Sequence, residues 1–367
     1  MKLLGGIHLF DTIHGKIDSA SSRIRGKWLM KYWPELEEYI WGKKYDFVIY
    51  QKVYMYKHAE LYNGIKILDI VDPDWFTGES IKRMAMCVDA ITVSSENLKK
   101  FVEGITDKPV IHIPDRHDLE YFKEKKIHKG RAKEVVWYGY GHNAYVIKSV
   151  KESLLRFGLN LSIISDIPIN VFTNDDRTDC KERWTKWNVD TVNKEIIKSD
   201  IVIMPGSTHP LFKYKSNNKT INAYLLNMPV ATCIDDLARF LDEEERKKET
   251  DKNYELAIDN YDIKQSVEEY KSLIERLKID KFIGSIKWVF AKTMPSIPHE
   301  YIVIEDYPDQ KNEIEYFLNK IKNEGYVSRF FGKEYQYLKI DGYKYWVIGN
   351  IINRTKYDLP FCIKGNK

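Results

Sequence analysis

Three lysines crowd one predicted strand-to-helix turn, where their chemistry suits a phosphate group. Lys213, Lys215 and Lys219 follow the apolar run Ile201 to Met204 and lie where a helix opens near Ser216. A helix N-terminus exposes backbone N–H groups at the positive end of the helix dipole, so lysines beside it favour an anion. An ordinary loop with solvated lysines has the same pattern, and these residues alone leave both interpretations open.

A second turn has the residue types for the same task. The apolar stretch Val135 to Tyr138 leads into Gly139-Tyr140-Gly141-His142-Asn143 and then into a helical pattern from Ala144. Glycines let a backbone approach a diphosphate closely, and a polar residue at a helix start caps the helix or contacts the ligand. We therefore predict that Gly139, Gly141, His142 and Asn143 line a phosphate site.

Two residues are candidates for a general base in the first part of the chain. Asp72 stands at the carboxyl end of the apolar run Ile65 to Val71, where a carboxylate can take a proton from a hydroxyl group. The alternative is that Asp72 and Asp74 organise an Asp-Pro turn. His14 follows the first predicted strand and is the second candidate, although an isolated loop histidine often has no such role.

Two arginines on the first predicted helix are candidate contacts for an acceptor. The helix opens at Ser19-Ala-Ser-Ser, and Arg23 and Arg25 follow the serines that cap it. The planar guanidinium group suits phosphate, so an acceptor that carries phosphate, including a nucleic acid, would be bound well here. The alternative is an exposed helix face without a ligand. Gln51, Lys52 and Tyr54 follow the second strand and are weaker candidates for the same side.

The hydrophobic pattern places these residues on two α/β domains. Apolar runs separated by amphipathic segments indicate parallel sheets covered on both faces, and open sheets of this kind bind ligands outside the carboxyl ends of their strands. We predict one Rossmann-like domain over 1–115, a hinge in the charged segment that follows, and a second domain over 130–285. The predicted strands are 3–10, 47–50, 65–71, 90–93 and 110–113 in the first domain and 135–138, 161–165, 201–204 and 230–233 in the second.

A third, smaller α+β module is predicted over 292–367. A helical pattern is followed by tyrosine-rich alternating runs on either side of Asp341-Gly342, which is a strong hairpin signal. The rings of Tyr335, Tyr337, Tyr343, Tyr345 and Trp346 are candidates for stacking on single-stranded nucleic acid, with Lys339, Lys344 and Arg354 nearby. Since one face of a hairpin forms core by default, at most half of these rings are free to stack.

Composition excludes several broad classes. The 367 residues are 43% hydrophobic and 31% charged, which is ordinary for a globular protein and argues against disorder. A net charge of +4 permits a polyanionic partner without indicating one. The four scattered cysteines suggest neither a zinc site nor a disulfide frame, and the sequence demands no metal. No apolar run approaches the roughly 20 residues that span a bilayer, and the N-terminus lacks a cleavage pattern, so we expect a cytoplasmic protein.

Residues 1 to about 280 resemble the GT-B glycosyltransferases. The resemblance is carried by the two Rossmann-like domains, by the Gly139–Asn143 loop and by the late segment PGSTHPLFKYKSNNKTINAYLLNMPVAT. It implies that the second domain binds a nucleotide diphosphate sugar as donor substrate, with no other cofactor. The contacts it implies in the late segment are Ser207, Thr208, Lys215, Ser216, Asn218, Lys219 and Asn222. The C-terminal module resembles one found in bacteriophage proteins.

The chain departs from the GT-B pattern at two positions. Retaining enzymes of this fold often have Glu-x7-Glu across the late segment, and here Tyr214 and Asn222 occupy those places. The expected function is transfer of a sugar to a hydroxyl acceptor, with a leaning towards hydroxymethylated pyrimidines in phage-type DNA. Transfer to a cell-envelope glycan or lipid carrier is the alternative acceptor. A binding protein without catalytic activity is the alternative to an enzyme.

Overall fold

The computed structural model of the protein describes residues 3–15, 18–172, 179–285, 289–291, 299–303, 311–324, 326–330, 333–340, 343–348 and 351–355. The chain divides into two compact units, 1–272 and 273–367, and the boundary falls inside one long helix. Unit one contains two parallel sheets, and unit two contains one antiparallel sheet.

The first sheet has six parallel strands in the order β2-β1-β3-β4-β5-β6. They are β1 Gly5–Leu9, β2 Leu36–Glu38, β3 Phe47–Gln51, β4 Ile65–Ile70, β5 Ala90–Val93 and β6 Val110–His112. Every residue of β1, β3 and β5 is buried, because both faces of the sheet are covered. All strands end at the same edge of the sheet, where Gln51 and the segment after Ile70 lie on neighbouring strands.

The second sheet has five parallel strands in the order β11-β10-β7-β8-β9. They are β7 Glu134–Tyr138, β8 Asn160–Ser165, β9 Glu182–Lys186, β10 Ile201–Ile203 and β11 Val230–Ala231. Adjacent strands β7 and β10 pair Val135 with Ile201. The two loops that the sequence marks for phosphate binding therefore leave the same edge of this sheet side by side.

Unit one is completed by short helices around the sheets. They are α1 Phe10–His14, α2 Ala20–Ser22, α3 Trp28–Tyr32, α4 Tyr56–Leu61, α5 Ile81–Cys87, α6 Glu96–Glu103, α7 Lys151–Phe157, α8 Val192–Ile196, α9 Asn218–Leu225, α10 Ile234–Arg239, α11 Glu243–Asn260 and α12 Ile263–Ser285, which continues into unit two. A π-helical turn, Arg23–Lys27, joins α2 to α3. The 3-10 turns include Asp74–Thr77, Gly141–Val150 and Pro210–Tyr214.

The predicted α/β fold with two Rossmann-like domains is confirmed. Two short strands were not predicted, because Leu36–Glu38 and Glu182–Lys186 carry charges and lack an apolar run. Both lie at sheet edges, where fewer neighbouring groups select apolar residues. The predicted cap at Ser19 is present, since its hydroxyl accepts a hydrogen bond from the Ser22 amide. The helical pattern after Ala144 is a 3-10 turn that precedes α7.

Unit two is an antiparallel sheet with one helix, α13 Lys311–Glu324. Its strands, in the order β12-β13-β17-β16-β15-β14, are β12 Val289–Ala291, β13 His299–Val303, β14 Tyr326–Phe330, β15 Lys333–Ile340, β16 Tyr343–Ile348 and β17 Ile351–Thr355. β15 pairs with β16 up to Ile340 and Tyr343, and the predicted turn residues 341–342 lie outside the described residues. The rings of Tyr337 and Tyr345 are buried, so they are not free to stack on a base.

Candidate active site

The loop that follows β10 contacts the first domain. It ends in the 3-10 turn Pro210–Tyr214, and the Tyr214 ring lies edge-on to Trp75 of the first domain, with 5.0 Å between ring centroids. The Tyr214 carbonyl accepts a hydrogen bond from Ser95 Oγ at 2.8 Å. The Lys213 carbonyl accepts one from Asn97 Nδ2 at 2.6 Å. The carboxyl edges of the two sheets are thus brought together on the two sides of one cleft.

A group of carboxylates and ammonium groups lies on the first-domain side of this cleft. Asp72 Oδ2 accepts a hydrogen bond from Lys52 Nζ at 2.6 Å, and Asp72 Oδ1 is 3.8 Å from Lys215 Nζ of the second domain. Asp74 lies 3.5 Å from Lys52 Nζ and accepts a hydrogen bond from Tyr54 at 2.8 Å. Lys52 has the left-handed backbone conformation, with φ 53°, which is uncommon for a residue other than glycine and often marks a functional site.

The two carboxylates differ in their affinity for protons. Burial raises the pKa of Asp72, but Lys52 and Lys215 outweigh burial and hold it below its ordinary value. Asp74 is more deeply buried, and burial raises its pKa to about 6. At neutral pH Asp72 is therefore ionised and ready to accept a proton, and it is also half-exposed towards the cleft.

Lys219 is a cation that has no anionic partner among the described residues of unit one. It lies in the first turn of α9, and its ammonium is 5.2 Å from the centroid of the Trp137 ring. A Cβ on Gly139 would lie 2.2 Å from Lys219 Nζ, so the glycine is what lets the ammonium reach the loop after β7. Burial, assisted by the nearby Lys215, lowers the pKa of Lys219 to about 8. A desolvated, unpaired ammonium at a helix N-terminus is suited to an anionic ligand.

Ser216 and Asn218, predicted to contact the donor, instead bond to the segment that joins the two domains. Ser216 Oγ donates to Asp115 Oδ2 at 2.5 Å, and Asn218 Nδ2 lies 3.4 Å from the same oxygen. Asp115 is 1% exposed and 3.5 Å from the Arg25 guanidinium. These two side chains therefore hold the start of the linker against α9, and a contact with a donor through them would require this arrangement to open.

Arg25, predicted as an acceptor contact, is 2% exposed. Its guanidinium pairs with Asp69 and donates to the Ile113 carbonyl and to the Tyr270 hydroxyl of α12. This arrangement differs from the expected helix face, because the π-helical turn directs Arg25 under the sheet edge and not towards the cleft. We do not retain Arg25 among the acceptor contacts. Arg23 is also buried and pairs with Asp18 at 3.0 Å, which leaves its Nε without a hydrogen-bond partner among the described residues.

The Gly139–Asn143 loop is at the cleft, but its groups are partly engaged. The Gly141 amide donates to Asp166 Oδ1 at 2.7 Å, and the Asn143 amide donates to the Tyr140 carbonyl at 2.9 Å. The His142 ring is exposed and stacks on Tyr140, with ring centroids 5.7 Å apart. Burial raises the pKa of the Tyr140 hydroxyl, and Asp11 adds to the rise.

The other predicted donor contacts are dispersed. Ser207 Oγ lies 3.0 Å from the Tyr145 hydroxyl, and Thr208 is exposed. Asn222 lies one turn beyond Lys219 on α9, and its Nδ2 is buried without a hydrogen-bond partner in the described part of the chain. An unsatisfied buried amide is costly, so this group is a natural partner for a ligand hydroxyl or an internal water.

On the acceptor side, His14 ends α1 and is exposed, with its ring 4.5 Å from that of Phe10. The neighbours expected to orient it are bonded elsewhere, because Asp11 accepts from the Ser19 amide at 2.8 Å and Asp18 pairs with Arg23. His14 therefore lies at the carboxyl edge of the first sheet, and no carboxylate of the described residues is hydrogen-bonded to its ring.

Gln51 was predicted as a weaker acceptor-side candidate, but the sequence did not indicate its pairing with Asp11 at the ends of β1 and β3. Asp11 Oδ1 and Gln51 Nε2 are buried, and neither has a hydrogen-bond partner among the described residues. Ser22 Oγ links them, since it donates to Gln51 Oε1 at 3.1 Å and lies 3.2 Å from the Asp11 amide. One acceptor and one donor are therefore unsatisfied at the carboxyl edge of the first sheet. The signal of this pair in the sequence was the polar residue at the end of each apolar run.

Within the described ranges, no group of three or more His, Cys, Asp or Glu residues is arranged to hold a metal ion. Among the helices that the structure describes, none combines the length and apolar character needed to cross a membrane.

Comparison with solved structures confirms the fold. The chain has the GT-B fold of Alr3699/HepE from Anabaena, solved with UDP and glucose, with a TM-score of 0.52, 8% identity and coverage of 77% of this chain and 99% of the other. It is similarly close to the DNA-modifying enzyme β-glucosyltransferase, solved with and without uridine diphosphoglucose, with a TM-score of 0.50, 10% identity and coverage of 74% and 100%.

TarM aligns at a TM-score of 0.48 with 14% identity, over 62% of this chain and 54% of TarM, so the chain spans about half the length of that protein. No protein-family model and no curated protein matches the chain.

Proposed function

We propose that the protein is a glycosyltransferase that takes a sugar from a uridine diphosphate sugar and transfers it to a hydroxyl acceptor. The observation that carries this proposal is Lys219, an unpaired and largely desolvated ammonium that lies against Gly139 in the first turn of α9. The neighbouring Lys215 reaches the first domain, where its ammonium is 3.8 Å from Asp72, in a chain with the GT-B fold. Both solved relatives above are described with a uridine nucleotide, which suggests the donor.

The donor diphosphate would lie between Lys219, Lys215 and the amides that open α9. Two ammonium groups and a helix N-terminus neutralise the charge that develops on the departing diphosphate, and electrostatic stabilisation of this kind usually contributes most to the rate enhancement of an enzyme. Gly139 and Gly141 would allow the loop after β7 to approach the phosphates, and Asn222 Nδ2 would meet a hydroxyl of the ribose or sugar. His142, Asn143, Ser207 and Thr208 remain proposed contacts at the rim.

The acceptor would enter from the first domain. Asp72 takes the proton of the acceptor hydroxyl while that oxygen bonds to the anomeric carbon and the bond from this carbon to the diphosphate oxygen breaks. Asp72 is suited to this because it is ionised and half-exposed. His14 is retained as the alternative base. Asp11 and Gln51 would bind polar groups of the acceptor, and Arg23 would bind a phosphate only after release from Asp18.

For the acceptor class we favour hydroxymethylated pyrimidine bases in DNA. A pyrimidine base has a hydrogen-bond donor and an acceptor, and the unsatisfied Asp11 carboxylate oxygen and Gln51 amide would pair with them. The DNA-modifying relative adds support at the level of fold. A cell-envelope glycan or a lipid carrier is the competing acceptor, and the assay below includes both.

The test is donor binding followed by transfer. Calorimetry with UDP-glucose, UDP-galactose and UDP-N-acetylglucosamine should give heat with at least one of them. Incubation of that donor with hydroxymethylcytosine and plain cytosine duplexes, and with glycan and lipid acceptors, should give a hexose mass increase on one class only. Absence of binding to all donors would overturn the proposal. Binding without transfer to any acceptor would favour a binding protein that retains the fold.

A further inference from the structure

Tyr214 occupies the first position of the expected Glu-x7-Glu pattern, but its side chain points away from the proposed donor site. It is 9% exposed and packs within the core of the first domain, although it belongs to the loop of the second. Its ring is edge-on to Trp75 and lies 5.8 Å from Phe101, and those two rings stack at 4.0 Å. The residue is an anchor between the two domains and cannot contact a diphosphate.

The anchor is built on the same segment that carries the proposed base. Trp75 lies in the turn Asp74–Thr77, immediately after Asp72 and Asp74. The other two attachments come from Ser95 and Asn97 at the start of α6, which bond the carbonyls of Tyr214 and Lys213. The backbone that carries Lys215 is therefore fixed relative to Asp72 by contacts on both sides of Tyr214.

Lys215 is the residue that this anchor positions. Its ammonium is 3.8 Å from Asp72, and it also contributes to lowering the proton affinity of Lys219 on α9. Lys215 closely precedes α9, on which Lys219 lies, so it is placed to be shared between Asp72 and an anion held by Lys219. A diphosphate carries more charge than one carboxylate, so it competes well for the ammonium.

We propose that Tyr214 is a positioning residue that holds Lys215 between Asp72 and the donor diphosphate, so that donor binding draws Lys215 away from Asp72. This inference rests on the proposed function. Without donor, Asp72 interacts with two ammonium groups; with donor, it retains Lys52 alone and becomes the stronger base. Proton removal from the acceptor is thereby linked to the presence of donor.

The test is a double-mutant cycle on Tyr214→Ala and Lys215→Gln with UDP-glucose, or whichever UDP-sugar the wild type turns over. Each single variant should raise the donor KM roughly tenfold, the size of coupling that residues of one network show. Lys215→Gln should add little in the Tyr214→Ala background, because Lys215 is already displaced. If Tyr214 only supported folding, the factors by which the two single variants raise the donor KM would multiply in the double variant.

Two variants keep the test decisive. Tyr214→Phe retains the ring, and since the hydroxyl makes no hydrogen bond within the described part of the chain, wild-type kinetics are expected. If Tyr214→Ala does not fold, Asn97→Ala takes its place, because it removes only the exposed hydrogen bond to the Lys213 carbonyl. Asn97→Ala should also raise the donor KM, and Lys215→Gln should add little to that increase.

The outcomes separate the two proposals. The role of Tyr214 is overturned if the wild type binds and transfers a UDP-sugar while the increases in donor KM multiply in the double variant. That result would leave the proposed glycosyltransferase activity intact. Wild-type protein that binds no UDP-sugar overturns both. The positioning role is supported if the donor KM of the double variant rises by less than the product of the increases in the two single variants.

Discussion

Replacing Lys219 with methionine should make the free protein more stable while it weakens donor binding. The ammonium of Lys219 is desolvated, has no anionic partner in the described residues and sits at the positive end of α9, so each of these features disfavours its charge. A methionine fills the same space beside Trp137 without a charge. The same unpaired charge therefore lowers the stability of the free protein and favours the binding of an anion.

The size of the effect follows from the pKa. Lowering the pKa of Lys219 from 10.5 to about 8 corresponds to about 3 kcal/mol at neutral pH. Because the side chain is only partly buried, we expect about 2 kcal/mol of added stability in Lys219→Met. For a unit of this size that is an increase of about 4 °C in melting temperature. Loss of a charged hydrogen bond to phosphate should weaken donor binding by about 2 kcal/mol, or roughly 30-fold.

The sign of the pH dependence provides a second measurement. Between about pH 8 and 10.5 the unfolded chain binds more protons at this position than the folded chain, so wild-type stability should rise with pH across this window, and Lys219→Met should lack that increment. A bound diphosphate restores the charged form, so donor binding at pH 8.5 should take up about 0.8 proton in the wild type. Calorimetry in buffers of different ionisation enthalpy measures this uptake.

The matched control is Lys213→Met, which removes an exposed lysine from the same loop. It should change neither the melting temperature nor the proton uptake. A Lys219→Met variant that binds UDP-sugars as tightly as the wild type, or that melts at a lower temperature, would refute the assignment of Lys219 to the donor site.

Three further predictions concern the cleft. Asp72→Asn should reduce transfer by about 10²- to 10⁴-fold without weakening donor affinity by calorimetry, because it also releases Lys215, and a loss of affinity as large as the loss of transfer would contradict a base role. Gly139→Ala should weaken donor binding about tenfold, because its Cβ would displace the Lys219 ammonium; Gly158→Ala, also at positive φ but with no contact, controls for backbone strain. Asp11→Asn and Gln51→Glu, which keep their known hydrogen bonds, should raise the acceptor KM alone, and a changed donor KM with an unchanged acceptor KM would argue against an acceptor role.

Much of the fold could be predicted, because buried parallel strands are continuous apolar runs. β5 Ala90–Val93 was predicted with its observed bounds, and β3 Phe47–Gln51 was predicted to within one residue. Edge strands such as Glu182–Lys186 escaped prediction because their stability comes from pairing and not from an apolar sequence. The local pattern also cannot indicate a π-helical turn, which depends on how the helix packs.

The sequence indicates which loops lie at the same sheet edge, but not which groups their side chains bond to. Parallel strands end at one edge, so residues such as Asp72, Gly139 and Lys219 were expected near a cleft. The sequence could not indicate the hydrogen-bond and ion-pair partners of the polar side chains. Ser216, Asn218 and Arg25 have the chemistry to bind phosphate, yet each is bonded to a buried carboxylate that is distant in the chain. Such pairings follow from tertiary packing alone.

The departure at Tyr214 shows why counting motif positions can mislead. An aromatic residue in place of a carboxylate suggests a lost function when the sequence is considered alone. In the structure the same position anchors the loop after β10 on the first domain, and the Lys215 ammonium that follows it is 3.8 Å from Asp72. A carboxylate at 214 would be buried against the apolar rings of Trp75 and Phe101, at a cost of several kcal/mol. Tyr214→Glu should therefore destabilise the anchor and could not restore the family contact, because the backbone directs this side chain into the first domain.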